Sequence, residues 1–171
     1  QPYIITSRLD NDDSLHQDYI KEVQSEFSEQ DFMVIDFIDG FTLQVEPTVR
    51  FAKRSHVHNP FVSLIEKSEN FKTIWTHERH GRWSNVKQVT PVRYKPMWMS
   101  VIHMENKANS FYGYGNVDWT EINAFNLNHK VSEKLKSQIV PFASWKMQSL
   151  KHQLRTQWKV AIKLLKRKLS L

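Results

Sequence analysis

All 18 acidic residues of this 171-residue chain lie at or before Glu133, whereas ten of its 24 Lys and Arg residues fall between 134 and 171. The charge splits the chain into a body of net −4 and a tail of net +10. From Trp145 onward, Leu150, Leu154, Trp158, Ala161 or Ile162, Leu165 and Leu169 recur every three or four residues, and Lys and Arg fill much of the rest. That spacing predicts a basic amphipathic helix. Lying on an anionic membrane, such a helix would bury Leu and Trp and hold its cations among the headgroups. Packing on the body, self-association and a disordered basic tail are the other readings. The body is mildly acidic, so charge gives nucleic-acid binding little support, and none is expected. Two parts follow: a body over residues 1–130 and a helical tail over 131–171.

A chain of this length is expected to hold one domain with a sizeable core. Hydrophobic residues make up 40% and there are only four glycines, which excludes collagen-like and low-complexity chains. No cysteine is present, so disulfide scaffolds, thiolate zinc sites and cysteine nucleophiles are excluded. No apolar run approaches the ~20 residues of a spanning helix. The first residue, Gln1, marks the chain as an expected fragment or processed product.

Tyr3 to Arg8 reads as a buried strand that delivers Leu9-Asp10-Asn11-Asp12-Asp13 to its end. Asp13 or Ser14 would cap a helix carrying Leu15, Tyr19, Ile20, Val23 and Phe27 on one side. Asp39-Gly40, between Phe32–Ile38 and Phe41–Glu46, predicts a tight hairpin, because both central turn residues need positive φ. Val49 to Lys53 reads as a further strand, Pro60 as the start of a short helix to about Lys67, and Phe71 to Thr76 as β-like. Met97 to Met104 fits a strand or a buried helix equally well; Asn106 to Asn116 reads as a loop, and Asp118 to about Asn123 as a helix start.

Three carboxylates within four residues repel one another unless a cation or a helix N-terminus offsets their charge. Mn²⁺ or Mg²⁺ would do so, using carboxylate oxygens and adding substrate phosphates to the shell. A solvated turn that caps a helix is the plainer alternative. A calcium EF-hand is excluded, because Leu15 and Lys21 stand where its glycine and bidentate glutamate must be.

The run Ile5-Thr6-Ser7-Arg8-Leu9-Asp10-Asn11-Asp12-Asp13 resembles the Asp-x-Asp segment of GT-A type glycosyltransferases, and more narrowly a bacterial family of putative rhamnosyltransferases. Later segments agree in order: Asp39-Gly40, Asn59-Pro60-Phe61-Val62-Ser63-Leu64, Thr73-Ile74-Trp75 leading to His80-Gly81, and Pro96 to His103 with Asn106 and Asn109. The likeness spans about residues 3–110. It implies a three-layer α/β/α domain and metal-dependent transfer of a sugar, rhamnose by the family's name, from a nucleotide-sugar donor to a glycan or lipid-linked acceptor. Surface polysaccharide assembly, in the cytoplasm or peripherally on the inner face of the membrane, is the expected setting. A non-catalytic membrane- or partner-binding module and a nucleotide-sugar hydrolase are the alternatives.

By the same resemblance, Asp13 would be the foremost direct metal ligand, Asp12 would assist it or contact the donor, His103 would complete the shell, Asp10 would support the loop or the donor, and Arg8 would pair with the donor's phosphate or hold the loop. In GT-A enzymes the base-binding half usually precedes the Asp-x-Asp segment, so this chain is expected to be incomplete at its N-terminus or to use a companion chain. An inverting transfer needs a carboxylate base, for which Glu78 and Glu105 are candidates beside Asp118 and Glu121. His77 and His80 are expected at the rim, facing acceptor, because two histidines at that spacing are a weak zinc signal without a third ligand. Trp75, Trp83, Trp98, Tyr112, Tyr114 and Trp119 could stack on sugar; Trp98 is expected in the core, and Tyr112 and Tyr114 are the better acceptor candidates.

Overall fold

The structure, a computed structural model, describes residues 2–76, 80–105 and 110–169. It is a mixed α/β domain with two four-stranded sheets. The first sheet contains β1 (Tyr3–Ser7), β3 (Phe32–Phe37), β6 (Ser63–Lys67) and β7 (Val89–Val92), in the order β1-β6-β3-β7. The second contains β2 (Ser14–Leu15), β4 (Asp39–Gln44), β5 (Arg50–Ser55) and β8 (Trp98–Ile102), in the order β2-β8-β4-β5. Among the described residues three α-helices complete the frame: α1 (Tyr19–Ser25), α2 (His129–Ser137) and α3 (Lys146–Leu169).

Besides the acidic loop between β1 and β2, the chain passes from the first sheet to the second at two adjacent places. Phe32 to Gln44 runs through β3, across Ile38 and into β4, and Val89 to Ile102 makes the same crossing from β7 to β8. The two runs are parallel in both sheets, Ile35 opposite Thr90 and Leu43 opposite Val101. Where they cross, Ile38 N–H donates to Val92 O and Met97 N–H to Asp39 O.

This crossing corrects the expected hairpin. Asp39 and Gly40 open β4 and pair with Ser55 and Arg54 of β5. Gly40 is needed for room, not for a turn: a Cβ there would lie 2.3 Å from the Trp98 ring. That ring is stacked at 4.9 Å on Phe61, and its Nε1–H donates to Phe37 O at 2.7 Å.

Apolar alternation along the strands places the core. Tyr19 and Val23 of α1 cover Ile35, Phe37 and Ile65 on one face of the first sheet, while Ile74 and Trp83 close on Val34, Leu64 and Val89. In the second sheet Phe41, Leu43, Phe51 and Met99 pack against Ile122 and Phe125 of a 3-10 helix, Trp119–Phe125. The alternate residues Ala52 and Arg54 turn toward Phe111, Trp145 and α3.

Other expectations change as well. The first helix begins at Tyr19, with Leu15 in β2 and Asp18 at the cap, because Ser14-Leu15 pairs with Met99 and Trp98. The run after Pro60 is strand β6, since its Val-Ser-Leu-Ile residues fill the space between β1 and β3. Phe71 to Thr76 is a loop ending in a 3-10 turn, held by the Glu66 carboxylate, which accepts from Lys72 N–H and Thr73 N–H. β1 is a partly buried edge strand, paired among the described residues with β6 alone.

The predicted terminal helix is present as α3, but its apolar stripe faces away from the body. Leu154, Trp158, Leu165 and Leu169 are exposed. The body is contacted by Ser149, His152, Val160, Lys163 and Arg167 instead. Ser149 Oγ accepts from Gly115 N–H, Lys163 donates to Val57 O at 2.8 Å, Arg167 donates to Val86 O, and Val160 packs on Ile38 and Val57. Among the described residues no helix is long and apolar enough to cross a membrane.

Candidate functional site

The acidic loop joins the edges of the two sheets. β1 ends at Ser7, Asp10 to Asp13 makes a turn closed by Asp13 N–H donating to Asp10 O, and β2 then runs antiparallel to β8. That pairing brings the loop alongside the end of β8. As a result Asp12 Oδ2 lies 3.1 Å from Nε2 of His103, 91 residues away in sequence. Asp13 Oδ1 accepts from Val101 N–H at 2.8 Å, so Asp13 ties the loop to the same strand.

Burial pushes the Asp13 carboxyl up to about 6; Asp12 and Asp10 add to the rise, and Val101 N–H and the Arg54 cation oppose it. A carboxylate held among like charges and partly withdrawn from water is short of positive charge. Arg54 supplies part of it. Its guanidinium, whose charge burial disfavours, donates to Ser100 Oγ at 2.8 Å and is stabilised by Asp13. Arg8 donates to Asp10 Oδ1 at 3.4 Å and lies 4.6 Å over the Trp75 ring. The cation–π contact holds the guanidinium at the loop and leaves Trp75 exposed beside it.

The remaining candidates fall into three groups. Glu105 is exposed two residues beyond His103, and Tyr112 is exposed at the mouth of a cleft between β5 and α3. His77 and Glu78 lie outside the described residues, as does the side chain of His80, which opens a 3-10 helix, His80–Asn85. Trp83 and Trp98 are core residues, each 1% exposed, so neither can stack on sugar. Trp119 packs on Phe51 and donates to Ser132 Oγ, and the Tyr114 hydroxyl shares a hydrogen bond with Ser55 Oγ.

Arg54, which sequence reasoning did not single out, connects the acidic loop with the cleft. Its only signal in sequence is a cation that shares one face of a strand with Ala52. The cleft encloses about 440 Å³ and is lined by Arg54, Tyr112, His152, Arg155, Lys159 and Lys163, among others.

Among the described residues no three or more His, Asp or Glu side chains group closely enough to hold a metal ion. Asp12 and His103 nevertheless set a carboxylate oxygen and an imidazole nitrogen side by side, two donor types that divalent ions take. Magnesium-like sites commonly use one or two carboxylates and complete their shell with water and substrate phosphate, and the Asp12 carboxylate is of that donor type.

No curated protein and no solved structure matches the chain. The model of one family, described as putative rhamnosyl transferase, matches residues 1–114. That stretch holds the acidic loop, both sheets, the Asp12–His103 pair and Tyr112. Two thirds of the chain is covered, and the chain belongs to the putative rhamnosyl transferase family, whose activity is of the sugar-transferase type.

Proposed function

We propose that this protein is a metal-dependent glycosyltransferase of the GT-A type, which moves a sugar from a nucleotide-sugar donor to a glycan or lipid-linked acceptor. Rhamnose is the sugar the family description suggests. The observation that carries the reading is the meeting of Asp12 with His103, within the matched stretch and beside the raised carboxyl of Asp13. A strand followed by an acidic loop, in a mixed α/β domain, is the local arrangement such chemistry uses.

In this reading Asp12 and His103 hold Mn²⁺ or Mg²⁺, with Asp13 close by as a third oxygen source. The ion, when bound, neutralises the diphosphate that leaves the donor. Arg8 and Asp10 position the donor: Asp10 keeps the guanidinium in place, and Trp75 braces it from the other side. Glu105 or Glu78 takes the acceptor hydroxyl's proton, and His77, His80 and Tyr112 line the acceptor side. Residues 1–130 form the transferase part and 131–171 the basic helical part.

The exposed stripe of α3 supports a place at an anionic membrane, peripheral and on the cytoplasmic side. Residues 146–169 carry eight Lys and Arg and no acidic residue, so a second copy of this helix would be repelled, whereas anionic headgroups would be attracted. Trp158, 69% exposed, and Leu154, 71% exposed, supply the apolar insertion.

The test is calorimetric titration of nucleoside diphosphates with and without Mn²⁺, on this chain and on Asp12→Asn and His103→Gln. Binding that requires Mn²⁺ in the parent and drops at least tenfold in both variants is expected. Mn²⁺-independent binding, or full affinity in the variants, would reject the metal site. Donor turnover that acceptor does not accelerate would indicate hydrolysis instead.

A further inference from the structure

We propose that the cleft between β5 and α3 is a binding site for a phosphate-bearing group, a phosphomonoester or diphosphate, of a substrate. The cleft, at about 440 Å³, is in the size range of small-ligand sites. Arg54, Arg155, Lys159 and Lys163 line it, and among the described residues no Asp or Glu does. Four cations around one concave space repel one another, and an anion between them converts that repulsion into binding. Val57, Val160 and Ile162 add an apolar wall that lowers the local dielectric and strengthens each ionic contact.

Several of these groups are positioned rather than free to swing. Arg54 is anchored on Ser100 Oγ at 2.8 Å. Arg155 lies over the Tyr112 ring at 5.9 Å, and Tyr112 in turn meets His152 at 5.4 Å between ring centres. His152 Nδ1 is 3.1 Å from Gly113 O, which fixes the imidazole on the loop. Guanidinium groups held this way present forked donors to phosphate oxygens.

Arg54 connects the cleft with the reaction centre. It lines the cleft and is stabilised by Asp13 of the acidic loop, so an anion in the cleft lies one side chain away from that loop. More than half of the lining comes from α3, beyond the stretch the family model matches. The anion site stands on its own geometry; that its occupant is a substrate of sugar transfer rests on the function proposed above.

Two sources carry this chemistry: the diphosphate of a nucleotide donor and the phosphate of a phosphorylated lipid acceptor. Pyrophosphate is titrated first, with chelator present, into the full chain, into Arg155→Ala/Lys159→Ala and into Asp12→Asn. Both cleft residues are exposed, so the double variant should fold, which its melting temperature checks. Saturable binding that weakens at least tenfold in the double variant and persists in Asp12→Asn is expected. No saturable binding, equal affinity in the double variant, or binding that is lost in Asp12→Asn alone would overturn the cleft site. Uridine diphosphate and dodecyl phosphate then separate the sources. Whichever gains more over pyrophosphate or inorganic phosphate respectively, with the gain lost in the double variant, identifies the donor or the lipid. Failure of the transferase reading would show in the Mn²⁺ titration and leave this metal-free result untouched.

Discussion

Replacing Asp13 by Asn should make the metal-free protein more stable at neutral pH, although it damages the proposed site. Burial raises the Asp13 carboxyl from 3.8 to about 6, so its ionised form is disfavoured by folding. A shift of about two units corresponds to a ceiling of about 3 kcal/mol, at roughly 1.4 kcal/mol per unit. The side chain is partly open to water, and screening reduces this to about 1–2 kcal/mol. Asn keeps an oxygen to accept Val101 N–H, so the tie to β8 survives the change. For 171 residues the unfolding entropy is roughly 0.36 kcal/mol/K, and the gain translates into about 3–6 °C.

The sign follows from proton counting. Above pH 6 both folded and unfolded Asp13 are ionised, and the burial cost is present in full. Between about 6 and 4 the folded state binds a proton that the unfolded state has not yet taken, so the parent gains stability as pH falls. The difference between variant and parent should therefore be largest at pH 7.5 and vanish near pH 4. Differential scanning calorimetry in chelator measures it. Equal or lower melting temperature of Asp13→Asn at pH 7.5, or a gain that persists at pH 4, would refute the argument. Mn²⁺ should raise the melting temperature of the parent more than that of the variant, which keeps Asp12 and His103 but loses the third carboxylate.

Gly40→Ala should cost about 3 kcal/mol or prevent folding, since the added Cβ meets the buried Trp98 ring, and a urea midpoint would reveal it. Asn59→Ala should cost about 2–4 kcal/mol in the same assay. It removes the amide that serves buried Asp36 Oδ1 and Phe37 O, and the oxygen that accepts from Phe61 N–H. Leu154→Ser with Trp158→Ser should leave the melting temperature within about 2 °C, both sites being exposed, yet reduce sedimentation with anionic liposomes at least fivefold. Unchanged sedimentation would remove the membrane reading.

The acidic loop, the strand before it and the terminal helix were legible because each rests on neighbouring residues: like charges in a row, a β-prone run, a period of 3.6. Asp39-Gly40 misled for the same reason. A local turn rule cannot see that Trp98, 58 residues on, lies against Gly40, nor that Val89 to Ile102 pairs in parallel with that stretch. His103 was placed near the loop by family likeness, not by spacing. Its distance to Asp12 depends on the register between β2 and β8, where Ser14 faces Met99. Arg54 went unnoticed because a cation on a strand has no meaning until the opposite wall of its cleft is known.

By itself the sequence determined the chemistry available: where carboxylates concentrate, that no thiol can act, that the tail is a cationic helix with an apolar stripe. Tertiary structure decided which of these groups meet and which faces stay open. Packing turned Ser149, Val160 and Arg167 of α3 inward and left Leu154, Trp158, Leu165 and Leu169 in solvent. Helical period defines a stripe on a cylinder, but the direction it faces depends on the surface it docks against, here a sheet face that presents Arg54 beside Ala52.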